Sequence, residues 1–453
     1  MIGREGREKD DVLERALAAT QGAGVAGGEV FVEDHAVFSV AVADGRIESL
    51  ETQDVRGAGL RLFDRGRVGF TYTSDLSPAG LAEAVELAKG LLARSDPDDA
   101  NRMPETDISE TPEPENFDPT LARVDPQEKI RAARRVEEAA RATDPRVTRV
   151  RQSKYTDVSG RVEVANTTGL HRAFAFSRVY ASIEVNAEER GELQSGWYSD
   201  FAVRFSALDA AHVGREAARR AVLKLGASTP ATRRAHVVLD PIVAASLVES
   251  ISPALHADNV LKGKSVFAGR VNHQVGGPKV TLLDDGRLPG GDHSAPYDAE
   301  GVATRCTLLI EGGVLKGFLH STYTSLRMGA APTGNAFRQS FKSPPRIAPS
   351  TLYLQPTGAT RESLMAEASD GYYITEVMGL HTIDPISGDF SLGAAGQALK
   401  GGRPDAPVDR IGIAGNVVDL LRSIAGVATD LRFLPGGGAG STTLLMDIAV
   451  SGT

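Results

Sequence analysis

The stretch LVESISPALHADNVLKGKS, Leu247 to Ser265, places a glutamate, a histidine and an aspartate in a helix-like segment. On a helix, Glu249, Pro253 and His256 fall on one face, at spacings of four and three. Metallopeptidase helices use this geometry: two histidines one turn apart hold zinc and a neighbouring glutamate serves as base. Here there is one histidine, and a proline stands where the next turn should continue. A catalytic zinc takes at least three protein ligands. Spacing alone therefore makes His256 a solvated or capping residue.

Other stretches invite chemistry less strongly. PGGGAGS, Pro435 to Ser441, has the glycine content of a phosphate cradle but lacks a P-loop lysine and precedes a strand. It reads instead as a loop whose backbone passes close to another surface. Asp284, Asp285, Asp292, Asp298 and Glu300 cluster without the spacing or closing glutamate of an EF-hand, so a turn-rich acidic loop is expected there. Asn335 and Arg338, in TGNAFR, could hold a peptide backbone or carboxylate, or brace a loop. His381, Asp384, Ser387 and Asp389 lie on turns beside strands, too close in sequence to define a triad, and no G-x-S-x-G occurs in a strand–turn–helix setting.

The elements that must carry these residues follow from periodicity. Helices are expected over Asp11–Gln21, over the segment capped by Ser77 with Pro78 at its first position, over 125–144, and over 209–226. Between them, period-two alternation predicts long antiparallel strands, with turns at Asp44-Gly45, 64–66, 166–169 and 189–191. Residues 96–125 are rich in proline and acid and read as an extended surface connection. Beyond a polar joint near 230, a strand and helix over 234–251 lead into short glycine-rich strands, a hairpin at Gly312-Gly313 and a final apolar, buried strand, STTLLMDIAVSG. The expected class is α+β. An N-terminal domain, 1–229, has antiparallel sheet with flanking helices, and a C-terminal domain, 230–453, is mostly β, a barrel-like sheet with few helices.

Bulk properties narrow the function. A chain of 453 residues is long enough for two or three cores. With 41% hydrophobic and 24% charged residues it has globular composition. The formal net charge of −9 argues against a nucleic-acid binder. The single cysteine, Cys306, allows neither an intrachain disulfide nor a cysteine zinc cage. No apolar run suits a signal peptide or membrane span, so the cytoplasm is the expected compartment.

Six separated motifs then point to one family. GAGLRLFDRGRVGFTYTSDLSPAGLAEAVELAKGL, VANTTGLHRAFAFSRVYASIEV, SVFAG, PYDAEGVATRCTLLIEGGVLKGFLHSTYTSLRMG, TGNAFR and ISGDFSLGAAGQALKGG occur in order, and together the chain resembles the TldD/PmbA family from about residue 10 onward. The resemblance implies a heterodimeric peptidase acting on unfolded or modified peptides. TldD-type chains carry zinc on an H-E-x-x-x-H helix with a cysteine from a C-terminal loop; TldE-type chains, also called PmbA, share the fold without those ligands. Anchored on SVFAG, Ser265 to Gly269, the resemblance puts the first histidine at Val248, the catalytic glutamate at Glu249 and the second histidine at Pro253, and the cysteine loop in LPGGGAGS, which has none. It therefore implies a PmbA (TldE)-type chain with no metal of its own, zinc in a TldD-like partner, and a role in completing the substrate chamber, with Asn335, Arg338 and His381 as substrate contacts. A homodimer is the alternative assembly in isolation. The alternative functions are a standalone non-zinc enzyme using Glu249 or His381 as acid or base, and a scaffold of gyrase-modulator type.

Overall fold

The computed structural model describes residues 12–105 and 114–452. The N-terminal half is one antiparallel sheet of β1 (Gly27–Ala43), β2 (Arg46–Asp64), β3 (Arg67–Thr73), β4 (Val147–Asn166), β5 (His171–Glu189) and β6 (Glu192–Ala202), in the order β3-β2-β1-β4-β5-β6. The β1–β2 hairpin turns at Asp44 and Gly45, both with positive φ, and β2–β3 turns through Arg65 and Gly66 in the same way. These are the primed turns whose twist matches that of the strands.

One face of the sheet carries four helices: α1 (Val12–Gln21), α2 (Pro78–Leu92), α3 (Pro126–Thr143) and α4 (Ala210–Val222). The caps anticipated from sequence form. Ser77 accepts the Gly80 N–H, and Asp125 and Asp209 cap α3 and α4 in the same manner. Val30, Val32, Leu60 and Leu62 point at α1 and α2, whereas Phe31, between the two valines, points the other way and packs with Ala299 and Phe341 of the C-terminal half. The period of two thus gives the sheet one face for its helices and one for the rest of the chain.

That remainder opens with β7 (Arg233–Leu239), α5 (Pro241–Ile251) and α6 (Ala257–Leu261), then β8 (Leu282–Asp285), β9 (Cys306–Glu311), β10 (Val314–Leu315), α7 (Thr322–Met328), β11 (Ala336–Phe337), β12 (Arg346–Ile347) and β13 (Leu352–Leu354). It continues through α8 (Arg361–Ala368), β14 (Tyr372–Met378), β15 (Asp389–Lys400), β16 (Arg403–Asn416), α9 (Val417–Ser423), β17 (Ile424–Val427), β18 (Arg432–Phe433), β19 (Ala439–Gly440) and β20 (Thr443–Ser451). Strands β16-β15-β14-β7-β20 close into a five-stranded barrel, because β16 also pairs with β20 at Gly412↔Ser451. Only β14–β7 is parallel within that ring. The α+β class and the barrel-like, helix-poor C-terminal half expected from sequence are what the chain forms.

Two expectations change. Residues 96–125 are not simply a surface connection: Asn116, Asp118 and Leu121 are buried, and the Asn116 carbonyl accepts the N–H of Ser177 and a guanidinium N–H of Arg178. The segment ties its polar groups to those of β5, which the proline count could not disclose; residues 106–113 lie outside the described part. The last strand, β20, is buried only over Thr443–Leu445 and at Val450, and its middle alternates with solvent, as a barrel wall does.

Close packing sets limits on substitution. A Cβ at Gly214 of α4 would overlap the carbonyl of Val136 on α3, while one at Gly90, on α2, would meet nothing within 4 Å. Gly214→Ala is expected to lower stability by about 1–3 kcal/mol through overpacking. Gly90→Ala is expected to raise it by about 0.5–1 kcal/mol through backbone entropy. Thermal unfolding midpoints of the two variants should move in opposite directions.

Candidate functional site: a cleft between sheet and barrel domain

Helix α5 is fixed before any chemistry is asked of it. Asp240 caps it, accepting the Ile242 N–H, and Pro241 takes the first turn, where its missing N–H costs nothing. Val243, Leu247, Val248 and Ile251 enter the barrel-domain core. Pro253, without an N–H to continue the ladder, sits in a 3-10 turn, Ser252–Leu255, that ends the helix. Glu249 projects from the outer side. It keeps solvent contact, yet the surrounding protein raises its carboxyl above the usual range by desolvation.

The glycine-rich loop passes directly over this helix. A Cβ at Gly440 would overlap the carbonyl of Pro241; one at Gly437 would overlap His293; and one at Gly438 would stand 3.7 Å from Glu249 Oε2. The loop forms β19 and not a helix N-terminus, so its glycines serve close approach, as expected, and not a phosphate. Around Glu249 this turn offers one carboxylate, a buried valine, a proline and bare backbone. Among the described residues no three His, Cys, Asp or Glu side chains form a metal-holding group. The side chains present do not fit a zinc ion.

His256 differs from its expected solvated or capping role. It occupies the N-cap position of α6, but its side chain makes no capping bond. The backbone carbonyl does the work there, accepting from Asn259 and Val260. The imidazole turns into a cavity of about 800 Å³, and its Nε2 is buried without a hydrogen-bond partner. Burial pushes it down to about 4, against the opposing pull of Asp258.

Asn335 donates through Nδ2 to Asp284 (2.6 Å) and to the carbonyl of Ala348 (3.0 Å). Arg338 is fully buried: Nη2 donates to Glu29 (2.8 Å), and the guanidinium lies over Phe31 and Phe70. His381 stands apart from both, exposed on the turn Leu380–Thr382. Asp384 is held in its own turn, accepting the N–H of Ile386 and Ser387.

The acidic stretch 284–300 is turn-rich, but its carboxylates are mostly buried. Asp298 accepts the N–H of Glu300, Val302 and Ala336; Asp292 accepts from Arg178, Tyr180 and Gly436; Glu300 accepts from Arg61 and Thr322. Burial raises Asp284 to about 6 and, with Glu300 alongside, Asp298 to about 8. Sequence inspection missed Glu29, Arg61, Arg178 and Glu300 as a group. The one available signal was cross-strand: Glu29 and Arg61 are register partners on β1 and β2, visible only once pairing is known.

These ion pairs hold the sheet's free face against the barrel domain and leave a cavity of about 720 Å³ between them. Phe31, Phe174, Phe176 and Tyr180 line it from the sheet, Tyr297 and Phe337 from the other side. His293, at its wall, is the residue that the Gly437 backbone abuts, so the cavity reaches towards the loop over Glu249. An apolar cleft between domains with a few polar groups at its edges is the usual form of a ligand site.

A helix-backed sheet and a closed barrel thus face each other across a cleft that reaches towards the glycine loop. Family models of the PmbA/TldA metallopeptidases match the chain in three pieces: domain 1 over residues 28–92, the central domain over 119–225 and the C-terminal domain over 232–452. The chain belongs to the PmbA/TldD family. It is 28% identical to "Metalloprotease PmbA" of Escherichia coli O157:H7 over 409 residues, 90% of this chain and 88% of that one. It is 27% identical to a "Metalloprotease TldD homolog" of Haemophilus influenzae, covering 86% and 83%. A Thermotoga maritima protein solved as a candidate modulator of DNA gyrase superposes with a TM-score of 0.89 at 28% identity, over 97% of this chain and 99% of that one. TldE of Thermococcus kodakarensis shares the fold, with a TM-score of 0.87 at 20% identity, covering 97% and 100%. Among the described residues no helix is long and apolar enough to cross a membrane.

The neutral His256 carries a pH consequence. Its folded-state value, about 4, lies below the ordinary 6.5, so between those pH values the unfolded chain binds the extra proton. The corresponding stability, on the order of 3 kcal/mol, is complete above about pH 6.5 and is lost as pH falls through about 4. The charged and titratable groups sharing the cavity with His256 are Arg61, Asp258, Lys262, Glu300, Tyr323, Arg327 and Arg346. His256→Gln should lose less of its melting temperature than the parent between pH 7 and pH 4.5. Equal losses would show that this imidazole is not the proton acceptor.

Proposed function

We propose that this chain is a PmbA (TldE)-type subunit that completes the substrate chamber of a heterodimeric metallopeptidase, with zinc held by a TldD-like partner in the cytoplasm. The observation that carries this is the state of α5. Glu249 stands at the family's catalytic-glutamate position, but Val248 is core, Pro253 ends the helix, and the loop above has glycine where the partner type has cysteine. The helix and loop keep the shape of the centre without its donors. In this role the cleft holds an extended, unfolded or modified peptide by strand addition, which recognises backbone without regard to sequence. Asn335 and Arg338 serve that peptide from behind, by fixing β11 at the cleft wall, and His381 offers an exposed contact in the 379–393 loop.

Co-expression with the TldD-like protein of the same cell tests the assignment. The pair should co-purify, contain zinc and hydrolyse unfolded peptides, while this chain alone, as a monomer or homodimer, should be free of stoichiometric zinc. Failure to associate, or tightly bound zinc in the lone chain, sinks it.

A standalone enzyme on the same scaffold is favoured by one observation, the raised Glu249 carboxyl, which is a feature of general acids. Metal-stripped chain that still turns over peptide, and loses at least about a hundredfold in rate on Glu249→Gln, would establish that alternative. A gyrase-modulator role, the kind named for the Thermotoga protein, rests on similarity alone.

A further inference from the structure

Three arginines line the aromatic cavity, and two are spoken for. Arg178 is buried against Asp292 and the carbonyls of Asn116, Ser177 and Gly291. Arg338 is buried against Glu29. The third, Arg346, is different. It is exposed, and among the described residues its guanidinium makes no hydrogen bond or ion pair. Its backbone is nonetheless fixed, because β12 pairs with β11 at Phe337↔Arg346.

Arg346 also lines the second cavity, the one into which His256 turns. That cavity has Arg61, Lys262, Arg327 and Arg346 against Asp258 and Glu300. Arg61 is paired with Glu300 at 3.0 Å and Lys262 with Asp258 at 3.0 Å, while Arg327 reaches only Asp98, at 3.8 Å. The two cavities therefore meet at a rim with surplus positive charge. On one side lie aromatic rings; on the other lies this cationic pocket. Gln339, on the wall of the aromatic cavity, likewise has no side-chain partner among the described residues and offers both a donor and an acceptor to a peptide group.

We propose that the aromatic cavity and Arg346 form one bipartite subsite for a peptide bearing a bulky apolar side chain next to a carboxylate. The side chain enters the ring-lined cavity, and the carboxylate meets the Arg346 guanidinium, whose planar fork suits a bidentate contact. The subsite rests on the chamber proposed above and adds a preference to it: strand addition alone reads no sequence, whereas this pair selects for chemistry at one position. The carboxylate has two sources, the C-terminus of a peptide or an Asp or Glu side chain following the apolar residue.

Fluorescence anisotropy with the full-length chain tests this, using labelled hexapeptides that end in Phe as the free acid, in Phe as the amide, in Ala as the free acid, and in Phe-Glu as the backbone amide. The Phe free acid should bind about tenfold more tightly than the Phe amide or the Ala acid. Arg346→Gln should abolish the difference between acid and amide, and Arg346→Lys should keep part of it; both changes are at an exposed side chain and leave the fold intact. Binding of the Phe-Glu amide like the Phe acid makes a side-chain carboxylate sufficient, and binding like the Phe amide restricts the subsite to C-termini; either supports it. Equal binding of acid and amide by the parent chain, or discrimination that survives Arg346→Gln, overturns the subsite while leaving the peptide chamber standing. No binding of any peptide by the lone chain overturns the subsite, while the chamber, which needs both chains, stands or falls on the co-purification above.

Discussion

The buried chain of charges from Arg338 through Glu29 and Arg61 to Glu300 is what the site depends on. Glu29 and Arg338 are almost wholly out of water, and Arg61 bridges the sheet to the 298–300 turn. Such a network is costly to desolvate and costly to break on one side, since removing one member strands a buried charge. It therefore enforces geometry more than it adds stability. With these pairs made, the free face of the sheet can meet the barrel domain in one way, and the aromatic cavity is the space that docking leaves.

The same constraint explains why residues with chemical potential act structurally. Arg338 and Asn335 are the types that would grip a peptide, yet Arg338 donates to Glu29 and the Ser343 carbonyl, and Asn335 to Asp284 and the Ala348 carbonyl. The acidic residues of 284–300 resemble a cation loop in composition, but each is caged by N–H groups or arginines of its own surroundings. Arg346 escapes because it stands on the solvent side of a two-residue strand.

Helix α5 and the glycine loop take their shape from caps and close packing. Asp240, Pro241 and the core contacts of Val243, Leu247 and Val248 hold the helix without any metal. Glycines at 437 and 440 are required by the closeness of the loop to His293 and to the helix start. The architecture around Glu249 is thus stabilised by packing and caps.

By itself the sequence determined what is local. Caps at Ser77 and Asp125, the primed turns at Asp44-Gly45 and Arg65-Gly66, the alternation of Val30, Phe31 and Val32, and the motif series that marks the family all depend on neighbours a few residues apart. Helical spacing also put Glu249, Pro253 and His256 on one face, whereas Val248 is singled out only through the family resemblance. Tertiary structure alone decided the fate of long-range charges and of His256. Glu29 and Arg338 are 309 residues apart, and no pattern in sequence says that they meet. The imidazole faces a cavity because α6 sets it opposite α7 and β12. Burial and partner choice are properties of the docked domains, so the ion network, the aromatic cavity and the unpaired Arg346 exist only once the sheet and barrel have closed on each other.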